Sequence, residues 1–141
     1  MLQTRIIPCL QLIDESLVKA VQFNKYGYIG DPCNTVRIFN ELEVDELCFL
    51  DIRASLENRI PNYKILQYIA DECFMPLSYG GGISTFEQAQ KIFSIGFEKI
   101  ILNTQAYYNP GLVTEIATHF GSQAVVVSID VKYHNGQHSI Y

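Results

Sequence analysis

The chain has no tryptophan, two methionines, three histidines and four cysteines in 141 residues. His119, His134 and His138 all fall in the last quarter. Cys9, Cys33, Cys48 and Cys73 are separated by 24, 15 and 25 positions, without a CxxC pair. Zinc ligation or a disulfide scaffold would need closer clustering or an extracellular context, so the thiols are expected to be mostly buried, and no metal or organic cofactor is implied. Basic charge is scarce: 10 Lys and Arg against 15 Asp and Glu give a formal charge of -5. That balance speaks against nucleic acid and against an anionic membrane surface as partners. There is no apolar run of about 18 residues, and the opening MLQTRIIPCLQLIDES lacks a basic segment followed by a signal-type apolar core. A cytoplasmic protein is expected.

What the chain does have is a 48% apolar content, enough for one globular domain spanning residues 1–141 with its own core. The short run Ile6-Ile7-Pro8-Cys9-Leu10-Gln11-Leu12 reads as a covered strand, although Pro8 cannot donate to a ladder. A polar and aromatic stretch through Gly27-Tyr28-Ile29-Gly30 follows. Asp31-Pro32 then fits a helix start, with Asp31 as cap and Val36, Phe39 and Leu42 on the helix. Leu47 to Ile52 reads as a second strand, Asn62 as the cap of a helix carrying Ile65, Leu66 and Ile69, and Met75 to Tyr79 as a third strand ending at Gly80-Gly81-Gly82. Thr85 starts a helix that Gly96 stops. Lys99 to Thr104 is the fourth strand, a helix carries Leu112, Ile116 and Phe120, and Ala124 to Asp130 is the fifth strand. The β-branched run in that last strand predicts burial on both faces. Asn135-Gly136 predicts a terminal hairpin over residues 131–141.

Five strands and four intervening helices fit two architectures. A doubly wound sheet would be complete at this size, whereas a (β/α)₈ barrel needs about 250 residues and would be supplied here only a little beyond its middle. No glycine-rich dinucleotide fingerprint follows the first strand, which weighs against the doubly wound sheet.

Period-two alternation places one parity of each strand on a shared inner face. On that parity stand Arg5, Cys9 and Gln11, then Glu46, Cys48 and Leu50, then Lys99, Ile101 and Asn103, then Val126, Ser128 and Asp130. Polar residues therefore gather at both ends. Gln11, Asn103 and Asp130 mark the C-terminal end, where barrel enzymes build their sites, and Asp130 is the strongest candidate for proton transfer. Asp51 ends its strand with the other parity, which suits a loop anchor or a residue at the mouth. Gly81 and Gly82 can present successive backbone N–H groups to an oxyanion, and Asn103 and Thr104 on the next strand can add an amide and a hydroxyl. Arg5, Glu46 and Lys99 form a charged group at the opposite end, which must stay paired if buried.

The segments RIIPCLQL, VDELCFLDIRAS, FMPLSYGGGI, EKIILNT and FGSQAVVVSIDVK resemble the cyclase subunit of imidazole glycerol phosphate synthase. The resemblance runs through the whole chain and covers the N-terminal part of that subunit, a little over half of it. It implies a TIM barrel of two similar half-barrels, with about the first five strands and four helices present. It also implies the use of ammonia from a glutaminase subunit to convert a phosphorylated ribulosyl aminoimidazole-carboxamide nucleotide to imidazole glycerol phosphate. Residue by residue, Asp130 matches one of the family's two acid–base aspartates, and Gly82, Asn103 and Thr104 match phosphate-binding positions. Arg5, Glu46 and Lys99 match the ring through which ammonia enters, and Asp45 and Glu98 become contacts for the glutaminase.

Gln11 stands where the family carries its other catalytic aspartate. A carboxamide has no titratable proton, although it can orient an amide or hydroxyl. The segments VQFNKYGYIGDPCNTVRIFNELEVDEL and ASLENRIPNY also look like cyclase-like proteins associated with surface-polysaccharide synthesis. These implied an ammonia-delivering subunit of a nucleotide-sugar amidotransferase complex as the second reading. A half-barrel leaves strand edges and an apolar layer uncovered, so self-association is expected of a chain of this length.

Overall fold

The computed structural model describes residues 3–21 and 25–140. Met1, Leu2, residues 22–24 of the first polysaccharide-associated segment, and Tyr141 of the expected terminal hairpin lie outside the described residues. In chain order the elements are β1 (Cys9–Ile13), β2 (Ser16–Val21), β3 (Lys25–Gly30), α1 (Pro32–Glu41), β4 (Leu47–Asp51), α2 (Tyr63–Glu72), β5 (Leu77–Gly80), α3 (Phe86–Ile95), β6 (Lys99–Leu102), α4 (Thr104–Tyr108), α5 (Pro110–Phe120), β7 (Val125–Val127), β8 (Val131–His134) and β9 (Gln137–Ile140). The described residues thus hold nine strands and five helices, in place of five and four.

Seven strands form one sheet in the order β3-β2-β1-β4-β5-β6-β7. From β1 through β4, β5 and β6 to β7 every pairing is parallel, and the strands lie side by side in chain order. A doubly wound sheet reverses the order of its parallel strands at a switch point; the five parallel strands here run without reversal, and the change of direction at β1 belongs to the antiparallel hairpin. The alternating topology is that of a partial (β/α) barrel.

The helices start where short polar side chains satisfy free backbone N–H groups. Asp31 accepts from the Asn34 N–H at 2.8 Å with Pro32 in the first turn of α1. Asn62 accepts from Ile65 N–H at 3.3 Å. Thr85 and Gln88 cap α3 reciprocally, and Gly96, at φ +122°, ends it. Each cap contributes about 1 kcal/mol. Once formed, the helices cover one face of the sheet. Leu12, Phe49, Tyr79, Ile100 and Leu102 from the strands pack with Val36, Leu66, Ile69, Ile92, Leu112 and Ile116 from the helices in one buried cluster. Burial of each large aliphatic or aromatic side chain is worth roughly 1.5–3 kcal/mol.

The opposite face is the inner one expected from alternation. Register pairs Cys9 with Cys48, Cys48 with Ser78 and Ser78 with Lys99 in one row. The row above runs Gln11, Leu50, Gly80, Ile101 and Val126.

Three expectations are corrected. The stretch after the first strand contains an antiparallel hairpin, β2 and β3, joined to β1 through a turn at Asp14 with φ +54°. β3 is mostly exposed, so it carries no clear alternation of buried and polar residues to announce it. The first strand starts at Cys9 rather than Ile6. Pro8 precedes it and uses only its carbonyl, which accepts from Cys48 N–H at 3.0 Å. The fifth parallel strand is three residues long and is not buried on both faces: Val126 and Val127 are 39% and 46% exposed. β7 has a strand partner on only one side among the described residues. A β-branched run reports strand propensity, but an edge strand lacks the neighbours that would cover its valines on both faces. The hairpin at Asn135-Gly136 forms as β8 and β9, and both its strands are exposed.

Candidate functional site

The C-terminal ends of the parallel strands carry a cavity of about 320 Å³. Its lining includes Ser55 and Arg59 from the loop after β4, Gly82 and Ser84 from the loop after β5, and Thr104 at the start of α4. The glycines are there because nothing larger fits. A Cβ on Gly81 would stand 2.5 Å from the Asp51 carbonyl oxygen, and one on Gly82 would stand 2.4 Å from the Arg59 carbonyl oxygen. Both have positive φ, +124° and +68°, which L side chains adopt only at a cost. The loop after β5 is thereby pressed against the loop after β4, and the Gly82 N–H donates to Ser55 Oγ at 3.4 Å.

Asp51 organises the neighbouring loop. Its buried carboxylate accepts from the backbone N–H groups of Arg53 and Ala54 at 3.1 and 3.0 Å, and from both terminal nitrogens of Arg59 at 3.0 and 3.2 Å. These donors occupy the carboxylate, so Asp51 is placed as the anchor of the cavity wall. The same bonds, with those to Glu57, raise the Arg59 pKa above its ordinary value. Arg59 therefore remains a permanent cation at the cavity.

Asn103 follows β6 and donates from Nδ2 to Asp130 Oδ2 at 2.8 Å. Neither residue lies within a strand: Asn103 precedes α4, and Asp130 sits between β7 and β8. Both are exposed. Gln11 lies on β1, separated from β6 in the sheet by β4 and β5. Its Oε1 accepts from the Ala20 N–H of the hairpin at 3.2 Å. The structure therefore brings Gly82 and Thr104 to one cavity and Asn103 to Asp130, while Gln11 is tied to β2.

At the other end, Glu46 is 3% exposed. Lys99 Nζ donates to its Oε2 at 2.5 Å, and Arg5 Nη1 lies 3.9 Å from the same oxygen. Only Lys99 belongs to a strand; Arg5 and Glu46 precede β1 and β4. Asp45 beside them accepts the Ile6 N–H on Oδ2 at 2.6 Å. Glu98 is exposed, and its N–H donates to the Leu77 carbonyl at 2.9 Å.

Sequence reasoning had missed Ser55, Arg59 and Ser84 as cavity residues. A polar loop directly after a parallel strand is the signal that could have found the first two. Among the described residues no group of three His, Cys, Asp or Glu side chains could hold a metal ion, and no helix is long and apolar enough to cross a membrane.

An in-order parallel sheet, helices on one face and a glycine-walled cavity at the strand ends define a partial barrel of the TIM type. The chain belongs to the histidine biosynthesis protein family, whose model matches residues 5–141. It is 54% identical over 142 residues to a putative imidazole glycerol phosphate synthase subunit of Pseudomonas aeruginosa, covering 100% of this chain and 57% of the relative. It is 53% identical over 132 residues to a putative subunit of the same synthase from Leptospira interrogans, covering 94% and 52%. An imidazole glycerol phosphate synthase subunit of Exiguobacterium is 41% identical over 141 residues, covering 100% and 55%. The chain thus spans a little over half the length of these relatives.

Proposed function

We propose that this chain supplies the N-terminal part of a cyclase-type subunit of imidazole glycerol phosphate synthase, acting in the cytoplasm. It would use ammonia from a glutaminase partner to convert a phosphorylated ribulosyl aminoimidazole-carboxamide nucleotide to imidazole glycerol phosphate. The observation that carries this reading is the cavity shared by Gly82 and Thr104, next to the Asn103–Asp130 pair. A phosphate there meets the Thr104 hydroxyl and the fixed charge of Arg59, and it takes the Gly82 N–H by displacing Ser55 Oγ. Phosphate binding by glycine-loop amides follows from their close approach and aligned dipoles. Asp130 is left to exchange protons with the substrate, with Asn103 fixing one carboxylate oxygen. Ammonia enters from the base past Arg5, Glu46 and Lys99, and the glutaminase docks around Asp45 and Glu98.

Calorimetric titration of the chain with glycerol phosphate tests the site. Binding that weakens at least tenfold in Thr104→Ala supports it; equal affinity in both proteins, or no binding to either, removes it.

Gln11 favours a second reading, in which the barrel delivers ammonia to a nucleotide-sugar amidotransferase complex of surface-polysaccharide synthesis without closing an imidazole. Its amide cannot transfer a proton as a carboxylic acid does, and its oxygen is engaged by the hairpin. Replacing Gln11 by Asp separates the two. If the variant gains imidazole-forming activity that the native chain lacks, when both are completed by the remaining part of a relative, delivery is the native role. Equal turnover by both supports cyclisation.

A further inference from the structure

Cys9 and Cys48 face each other on the inner side of the sheet as register partners of the parallel strands β1 and β4. Their sulfurs are 3.6 Å apart, and both are free thiols, Cys9 exposed and Cys48 buried. Neither has a part in the phosphate cavity. Cys48 lies two residues above Glu46 on the same strand parity, in the register row that also holds Lys99.

Two features distinguish this pair from the other cysteines. Directly paired positions on neighbouring strands fall within the Cα separation that a disulfide spans, and their sulfurs need only rotate together from 3.6 Å to the bond length of about 2.0 Å. The exposed member can also be reached by a reagent while the buried one waits behind it. Cys33 and Cys73 offer neither: they stand on α1 and just after α2, and Cys73 spends its S–H on the Met75 carbonyl at 3.4 Å.

We propose that Cys9 and Cys48 form a redox-active dithiol, a modification site for small-molecule disulfides of the glutathione class, with Cys9 as the attacking thiol and Cys48 as the resolving one. The Cys9 thiolate attacks one sulfur of the reagent RSSR. A Cys9–SR bond forms, the RS–SR bond breaks, and RS⁻ leaves and takes up the proton that Cys9 released. The Cys48 thiolate then attacks the Cys9 sulfur, forming the Cys9–Cys48 bond and expelling a second RS⁻, which takes the Cys48 proton. Two protein thiols are oxidised to one disulfide, and RSSR is reduced to two RSH. The hydrogen bond with Cys48 lowers the Cys9 pKa below the ordinary thiol value, whereas the Cys9 sulfur and burial raise that of Cys48. This division matches an attacking and a resolving thiol. The closed bridge staples β1, with Gln11, to β4 in the register row that holds Lys99.

The test incubates the native chain with oxidised glutathione and counts free thiols by maleimide labelling and intact mass. The expected product has lost two thiols, carries no glutathione and yields a Cys9–Cys48 cross-linked peptide, with Cys33 and Cys73 still free. Cys48→Ser should stop at one glutathione on Cys9. Cys9→Ser, an exposed change, should lose no thiol pair and keeps the test open if the buried substitution prevents folding. A stable glutathione adduct on the native chain, a bridge through Cys33 or Cys73, or four thiols surviving treatment would each overturn the proposal.

Discussion

Asn103 holds Asp130 by a single hydrogen bond, Nδ2 to Oδ2 at 2.8 Å, across the gap between the end of β6 and the segment after β7. That bond fixes one oxygen of an exposed carboxylate. Asp130→Asn keeps a similar shape and can still accept from Asn103, but it cannot exchange a proton. In the chain completed by the remaining part of a relative and supplied with ammonium, turnover should fall roughly 10²–10⁴-fold. Steady-state product formation reads this, with phosphate-ester affinity unchanged.

Gly81 makes a different kind of prediction, because its role is steric. Gly81→Ala forces a Cβ to 2.5 Å from the Asp51 carbonyl oxygen at a φ of +124°. The expected loss is about 2 kcal/mol or more of folding stability, read from the urea midpoint. An unchanged midpoint would mean that the two loops are not pressed together.

The Glu46–Lys99 pair is a case where removing one partner should cost more than removing both. Lys99→Met leaves a buried carboxylate with only the distant Arg5 guanidinium, a loss of about 3 kcal/mol. Adding Glu46→Gln removes the stranded charge and should restore much of that loss. Urea denaturation of the two single variants and the double variant completes the cycle.

On the acid side, Arg37 grips Glu72 through two hydrogen bonds of 2.9 and 2.8 Å and holds its carboxyl below the usual glutamate value. A depressed folded pKa contributes stability that is present above the unfolded value, near 4.5. It is lost as pH falls through the lower folded value. Glu72→Gln should therefore flatten the fall of thermal midpoint between about pH 5 and 3, with little change at pH 7 beyond that of an exposed ion pair.

The exposed valines of β7 predict that the chain associates with itself. Sedimentation velocity at increasing concentration should show species heavier than the 16.0 kDa chain. A concentration-independent monomer would contradict this expectation.

Most of the parallel sheet was legible in the sequence, because Asp31, Asn62, Thr85 and Gly96 announce helix ends through local chemistry. The parity of Cys9, Cys48 and Lys99 placed one face correctly because strand alternation is local too. The hairpin of β2 and β3 was not legible. Its connection to β1 runs through Asp14-Glu15 rather than a glycine-bearing pair, and its outer strand has no buried side to impose a pattern. Val126 and Val127 misled for the opposite reason: their β-branched run reports strand propensity, while burial depends on neighbours that propensity cannot reveal. At the site, Gly82 and Thr104 were readable as a loop and a strand exit. The commitment of Asp51 to Arg59 was not, since it joins residues through a fold in the intervening loop.

β2 occupies the free hydrogen-bonding edge of β1 from Gln11 to Ile13, leaving Cys9 and Leu10 as the open rungs on that side. Any strand that completed a cylinder by pairing there would find its upper rungs taken. The seam would zip only near the floor, and the rim above it would be hemmed by the hairpin instead.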